Sequence, residues 1–175
     1  MPRTSGVRTV VRNPWFWAVS GAVVVAVAGL TWVFWPAAAP PAEPRARQYL
    51  EYTACLLTGE RGLTDASAGP VWAGLQDASL ATHAKVQYLA ITGPQTVDNG
   101  VPFLNTLAQT GCNLIFAAGD VAVATVDKGA TNFPDRRFYP VGGGSAHANV
   151  FPITTTGADG VRGAVSTTLT AAVGG

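Results

Sequence analysis

The sequence predicts one α/β domain, three layers built around a parallel sheet, preceded by a single transmembrane helix. Three observations carry this reading. Trp15 to Trp35 form a 21-residue run without a charged side chain, enough at ~1.5 Å per residue to cross a hydrocarbon core of ~30 Å. From Leu50 onward, short apolar runs alternate with stretches of helical periodicity, as crossover-connected parallel strands require. Asn113 to Ala118 (NLIFAA) is almost wholly apolar, which suits a strand covered on both faces.

The membrane segment comes first in the chain. Trp15, Phe16 and Trp17 mark one boundary and Trp32, Phe34 and Trp35 the other, where amphipathic rings favour the headgroup layer. Arg3, Arg8 and Arg12 precede the run, against Arg45 and Arg47 after it, so the positive-inside rule places the N-terminus in the cytoplasm. Ala37, Ala38 and Ala39 offer the small residues of a signal-peptide cleavage site, but the apolar run exceeds the usual h-region of about 7 to 15 residues and Pro40 would follow the cut. The predicted organisation is a cytoplasmic tail over 1–13, a transmembrane helix over 14–36, a Pro/Ala-rich linker over 37–48 and an extracytoplasmic domain over 49–175. The lipid bilayer is thus the first expected partner, and a single-pass cell-membrane location is expected.

Beyond Pro36 about 139 residues remain, enough for one domain with a core. They carry eight basic and ten acidic side chains without runs of either sign, which argues against nucleic acid as a partner. With two lysines and two histidines in the chain, neither a basic groove nor a histidine-rich metal cluster has raw material. No cofactor is expected. Pro36, Pro40, Pro41 and Pro44 stiffen the linker.

Leu50 to Thr58 (LEYTACLLT) reads as the first strand, and the stretch holding Gly59, Gly62 and Gly69 as a loop. Pro70 fits a first helical turn, where its missing N–H costs nothing, and Val71, Trp72, Leu75 and Ala78 share one side of a helix to about Thr82. Val86 to Thr92 is the next strand, closed by Gly93-Pro94. Val97, Val101, Leu104 and Leu107 repeat at helical spacing, and Gly111 supplies a left-handed stop. After the strand Asn113 to Ala118, Gly119-Asp120 turns into a helix through Val123 and Val126 with Asp120 as N-cap. Arg137 to Val141 and Val150 to Thr155 are two more strands, each holding a proline that suits an edge. Residues 142–149 are too few for a crossover helix and predict an open loop. Val161, Val165, Leu169 and Val173 mark a closing helix. The result is a flavodoxin- or Rossmann-like three-layer domain.

A doubly wound strand order of 2-1-3-4-5 makes the first and third strands neighbours, so Cys55 and Cys112 come within bridging distance. Outside the cytoplasm such a pair oxidises. The other reading is two buried thiols, since cysteine is a common core residue.

Several segments together resemble a known family. GLTDASAGPVWAGL (Gly62 to Leu75), NLIFAAGDVAVATVDKGATNFPDRRFYPVGG (Asn113 to Gly143), and NVFPI followed by GVRGAV are similar to the basic membrane protein (BMP) family of ABC-transporter solute-binding proteins. There a D-x-S-F-N loop precedes a helix with W-x-G, and P-D-x-x-F follows a strand-turn-helix. The resemblance spans roughly Leu50 to Val173. It implies a type I periplasmic-binding fold, of which this chain holds the first lobe only, closing on nucleosides or related small solutes and serving an ABC permease. Asp65 and Ser67 match the acidic and hydroxyl positions of the loop motif, whereas Ala68 and Gly69 stand where the base-stacking aromatic and its amide partner belong. Family members are mostly held by lipid on an N-terminal cysteine. Cys55 is no lipobox, so the transmembrane helix replaces the lipid.

In an open parallel sheet ligands collect beyond the carboxyl ends of the strands. That rim comprises Thr58, Glu60, Asp65, Ser67, Thr92, Gly93, Gly119, Asp120, Gly142 and Gly143. Of these, Thr58, Glu60, Asp65, Ser67, Gly119, Asp120, Gly142 and Gly143 are the candidate ligand-binding residues. Plainer roles compete at several: Asp120 as a helix cap, Asp65 as a loop organiser, and the run 142–144 as a flexible turn. Catalysis is not expected. Ser67 lacks the first glycine of a nucleophile elbow, Ser145 and His147 have no orienting acid, and His83 ends a helix. The expected function is a membrane-anchored solute-binding module whose second wall comes from a partner protein. The alternative is an accessory domain that docks a membrane complex without binding a ligand.

Overall fold

The computed structural model describes residues 48–175; the predicted tail, the transmembrane helix and nearly all of the linker lie outside the described residues. Among the described residues no helix is long and apolar enough to cross a membrane. Ala46–Gly175 is a compact unit by itself.

Strand β1 (Thr53–Thr58) is buried from Ala54 onward. It begins later than the apolar run suggests, because the Leu50 N–H bonds the His83 carbonyl (2.8 Å) and the Tyr52 carbonyl accepts from Lys85 N–H (2.8 Å), tying that stretch to the turn before the next strand. Helix α1 (Ala68–Thr82) carries Pro70 in its first turn and ends on His83 at φ 62°, a left-handed stop without glycine. Strand β2 (Lys85–Ala90) follows, then helix α2 (Val97–Gln109), whose N-cap Thr96 accepts from Asn99 N–H. All five residues of β3 (Leu114–Ala118) are buried. Helix α3 (Asp120–Gly129), strand β4 (Arg137–Val141) and helix α4 (Ala158–Gly174) complete the order.

The strands are all parallel, in the order β2-β1-β3-β4. Pleating sends Ala54, Leu56, Leu114 and Phe116 toward α1 and α4, and Cys55, Leu57, Ile115 and Ala117 toward α2 and α3. Two cores on opposite faces of one sheet result, which is the Rossmann-like three-layer arrangement expected of the alternating sequence. Close helix approach shapes the first core: a Cβ on Gly74 would lie 2.5 Å from the Arg162 carbonyl oxygen, and Arg162 grips Asp77 through two hydrogen bonds of 2.5 and 2.8 Å.

One expectation needs correction. The predicted strand over 150–155 forms only isolated bridges, parallel from Phe138 to Val150 and from Val141 to Ile153 and antiparallel from His147 to Val150, because Pro152 interrupts it. Pro140 does stand on an edge strand of the sheet, as its residue type suits. Phe138 N–H bonds outward to the Asn149 carbonyl and the Pro140 carbonyl accepts from Ile153 N–H, so the missing Pro140 N–H faces this outer segment and β3 loses nothing. The outer segment is held by Asn149, which donates to the Ala130 and Phe133 carbonyls at 2.9 Å each. Residues 142–149 are the open loop expected.

Cys55 and Cys112 form a disulfide with a Cα–Cα distance of 5.8 Å across 57 residues of chain, and both are fully buried. Gln87 Nε2 lies 3.2 Å from one sulfur and 3.4 Å from the other. Closing such a loop stabilises by about 4 kcal/mol in the chain-entropy model. The paired Cys55→Ala, Cys112→Ala variant is therefore expected to lower unfolding free energy by about 2 to 4 kcal/mol in urea titration, and intact-mass analysis should show two added hydrogens on reduction of the wild type. Gly74→Ala should cost about 1 to 3 kcal/mol in the same titration, since α4 must move away.

Candidate functional site

The strand order reverses between β1 and β3: β2 lies beyond one and β4 beyond the other. The loops leaving these two strands diverge there and open a crevice at their carboxyl ends. The β1 loop enters it through a 3-10 turn at Gly62–Thr64. The β3 loop is one residue, Gly119, at φ 92°, a left-handed conformation that favours glycine. A Cβ there would stand 3.5 Å from Ser67 Oγ, so the two loops meet at Ser67 and Gly119.

Two open clefts flank this meeting point. One, of about 370 Å³, runs from Gly59, Glu60 and Asp65 to Gln95 and Asp120. The other, of about 340 Å³, runs from Ser67 and Asp120 to Asp127, Gly142 and Gly143. Gly119 and Asp120 line both. Of the predicted site residues the structure thus brings together Glu60, Asp65, Ser67, Gly119, Asp120, Gly142 and Gly143. Thr58 is set apart: it is fully buried and its hydroxyl donates to the Gly59 carbonyl. Thr92 and Gly93 are exposed but line neither cleft.

Asp120 is not the N-cap. Gly119 takes that position without a side-chain bond, and Asp120 is the first helical residue, because the left-handed glycine completes the turn one residue earlier. The Asp120 carboxylate is consequently exposed and favourably placed against the helix dipole. Asp65 organises its loop: Oδ1 accepts from Ser67 N–H (2.9 Å) and Ser67 Oγ (2.8 Å), while Oδ2 accepts from Arg61 Nη2 (2.7 Å) and Nε (3.0 Å). Bonds from the Ser67 backbone, then the Ser67 hydroxyl, then Arg61 hold its carboxyl below the ordinary carboxylate range.

Two site residues escape sequence reasoning. Gln95 donates to the Ile91 and Gly93 carbonyls (2.9 and 3.0 Å) and accepts from Glu60 N–H (3.1 Å), clamping the β1 and β2 loops together. Asp127 accepts from Ser145 N–H (3.0 Å) and anchors the glycine loop. Neither residue sits in a motif, and the bonds span 35 and 18 residues. The resulting rim presents Glu60, Asp65, Asp120 and Asp127 against one cation, Arg61, which Asp65 already holds. It favours neutral hydroxyl-rich or cationic groups over anions. No group of side chains suited to a metal ion occurs among the described residues.

The fold is similar to that in the crystal structure of an ABC transporter system solute-binding protein from Aeropyrum pernix K1, with a TM-score of 0.50 and 17% identity, covering 58% of this chain and 28% of that one. It is also similar to a "putative lipoprotein" fragment from Peptoclostridium difficile 630, with a TM-score of 0.57 and 12% identity, covering 71% of this chain and 99% of that one. No family model and no curated protein matches the sequence. What is shared with these structures is the fold, a parallel sheet layered between helices, and the chain spans 28% of the length of the solute-binding protein.

Because the Asp65 carboxyl titrates below its ordinary value, the stabilisation it gives is complete above that ordinary value and is lost as pH falls through the lowered one. Carbon-detected NMR titration should find a depressed midpoint. Ser67→Ala and Arg61→Ala should each raise it without fully restoring it, since the Ser67 backbone bond survives both.

Proposed function

We propose that this protein is a membrane-anchored, extracytoplasmic solute-binding module of basic membrane protein ancestry, whose strand-end rim forms one wall of a site completed by a partner. The observation that carries the proposal is the pair of clefts meeting at Gly119 and Asp120, at the point where strand order reverses. That is where an α/β sheet of this kind receives a ligand.

The acid-rich rim suits a neutral, hydroxyl-bearing solute such as a nucleoside. Asp120, exposed and in no ion pair among the described residues, is the natural acceptor for ligand hydroxyls, and Gly142 and Gly143 leave the second cleft open to a sugar-sized group. Both clefts open to solvent, whereas solute sites enclose most of their ligand. A second lobe on another chain, or the outer face of an ABC permease, would close them. The reaction class is binding without catalysis.

A second reading, an accessory domain that docks without a ligand, is favoured by one observation: both Asp65 oxygens are used inside the loop. Ala68 is fully buried as well, leaving no room there for the stacking ring of the family motif.

Thermal-shift measurements on residues 46–175 discriminate the two. A nucleoside at a hundred times its dissociation constant stabilises by about 2.7 kcal/mol, a rise of several degrees in Tm for a domain of this size. The expected rise is lost in Asp120→Ala and absent with the corresponding nucleoside phosphates. Silence across a nucleoside and polyol panel, with the partner protein present, would leave the docking reading in its place.

A further inference from the structure

We infer that two copies of this chain pair through strand β2, antiparallel and with two-fold symmetry, so that their sheets join into one continuous sheet. The inference is independent of what the clefts bind. The backbone and side chains of β2 carry it.

β2 is an outer strand, and all six of its residues, Lys85 to Ala90, run in unbroken parallel register with Thr53 to Thr58. Lys85 N–H donates to the Tyr52 carbonyl (2.8 Å) and Ile91 N–H to the Thr58 carbonyl (2.9 Å). Alternation along the strand therefore turns the N–H and C=O groups of Val86, Tyr88 and Ala90 outward. No turn, loop or further strand among the described residues bonds them. Outer strands are commonly blunted by proline, by a bulge or by a charge in mid-strand. KVQYLA has neither proline nor bulge, and its one charge, Lys85, stands at the start and is paired with Glu51 (2.7 Å).

Spacing and charge determine what this strand accepts. Antiparallel pairing centred on Tyr88 sets Val86 against Ala90 of the second copy and Tyr88 against its own counterpart, so each outward group meets a partner. Parallel pairing would instead set lysine beside lysine, which like-charge repulsion disfavours; the antiparallel arrangement holds the two Lys85 side chains at opposite ends of the strand pair. Tyr88 is 48% exposed, and its ring meets Trp72 of α1 edge-on at 5.6 Å. On the symmetry axis the two Tyr88 rings come side by side, each flanked by a Trp72, and cross-strand aromatic pairs favour such contact. This match of Tyr88 to itself selects a second copy over an unrelated strand. The two sets of clefts then lie at opposite ends of the shared sheet, so the pair offers two separate openings and neither copy walls in the other's site.

The test uses residues 46–175, a compact unit by itself, beside the full chain in nanodiscs. Sedimentation equilibrium of the unit over ~1 to 100 μM should reach twice the single-chain mass. Amide exchange read by NMR should slow roughly tenfold at Val86, Tyr88 and Ala90 as concentration rises, while Gln87 and Leu89, bonded to β1, stay protected throughout. Tyr88→Pro removes an outward N–H and leaves the β1 ladder whole, and should return the mass to one chain; Tyr88→Lys, with its backbone intact, should weaken pairing roughly tenfold by placing two charges on the axis. Native circular dichroism and the intact disulfide establish that both variants fold. Tyr88→Cys should yield a reducible covalent dimer, because opposed hydrogen-bonded residues stand ~5.5 Å apart between Cα atoms. A single-chain mass for the wild-type unit at the highest concentration overturns the inference, as does a dimer that survives both Tyr88→Pro and Tyr88→Lys. So does protection of the Val86, Tyr88 and Ala90 amides in full-length protein at one chain per disc, which would assign the strand edge to residues 1–47.

Discussion

The side-by-side pairing of β1 and β3 is the constraint on which the rest of the domain depends. Ala54 to Thr58 face Leu114 to Ala118 in parallel register, and every one of these ten residues is buried. Each strand must therefore be covered on both faces, which forces α1 and α4 to one side and α2 and α3 to the other. The same pairing brings Cys55 to Cys112 at one end and holds the Ser67 loop over Gly119 at the other. Cross-link and crevice are two results of one adjacency.

Much of this is legible from residue pattern alone. NLIFAA reads as a central strand because all but its first residue are apolar, and the left-handed Gly111 and Pro70 in a first turn follow from local chemistry. The disulfide follows from strand order. What local pattern misses depends on distant partners. VFPITT has strand composition, yet Pro152 and a short connection leave it as bridges. Asp120 has the chemistry of a cap, but its neighbour Gly119 takes the position. The anchor lies outside the described residues.

Within the rim, legibility divides along the same line. Asp65, Ser67, Gly119 and Asp120 are found because loops after parallel strands must gather at one end. Gln95 is not, because a glutamine gains its role only when two loops 35 residues apart are folded together. Thr58 is expected at the rim from its place at the end of a strand, but the pleat turns it inward.

The two margins of the sheet differ in kind. Beyond β4, the ribbon holding Phe151 and Pro152 occupies the outward hydrogen-bonding groups, and Tyr139 stacks between Phe116 (5.1 Å) and Phe151 (5.6 Å) as a ring ladder. Beyond β2, no strand follows among the described residues. A sheet sealed on one side and open on the other has a single valence: copies joining margin to margin would stop at a twofold pair, with no second free margin from which a fibre could grow.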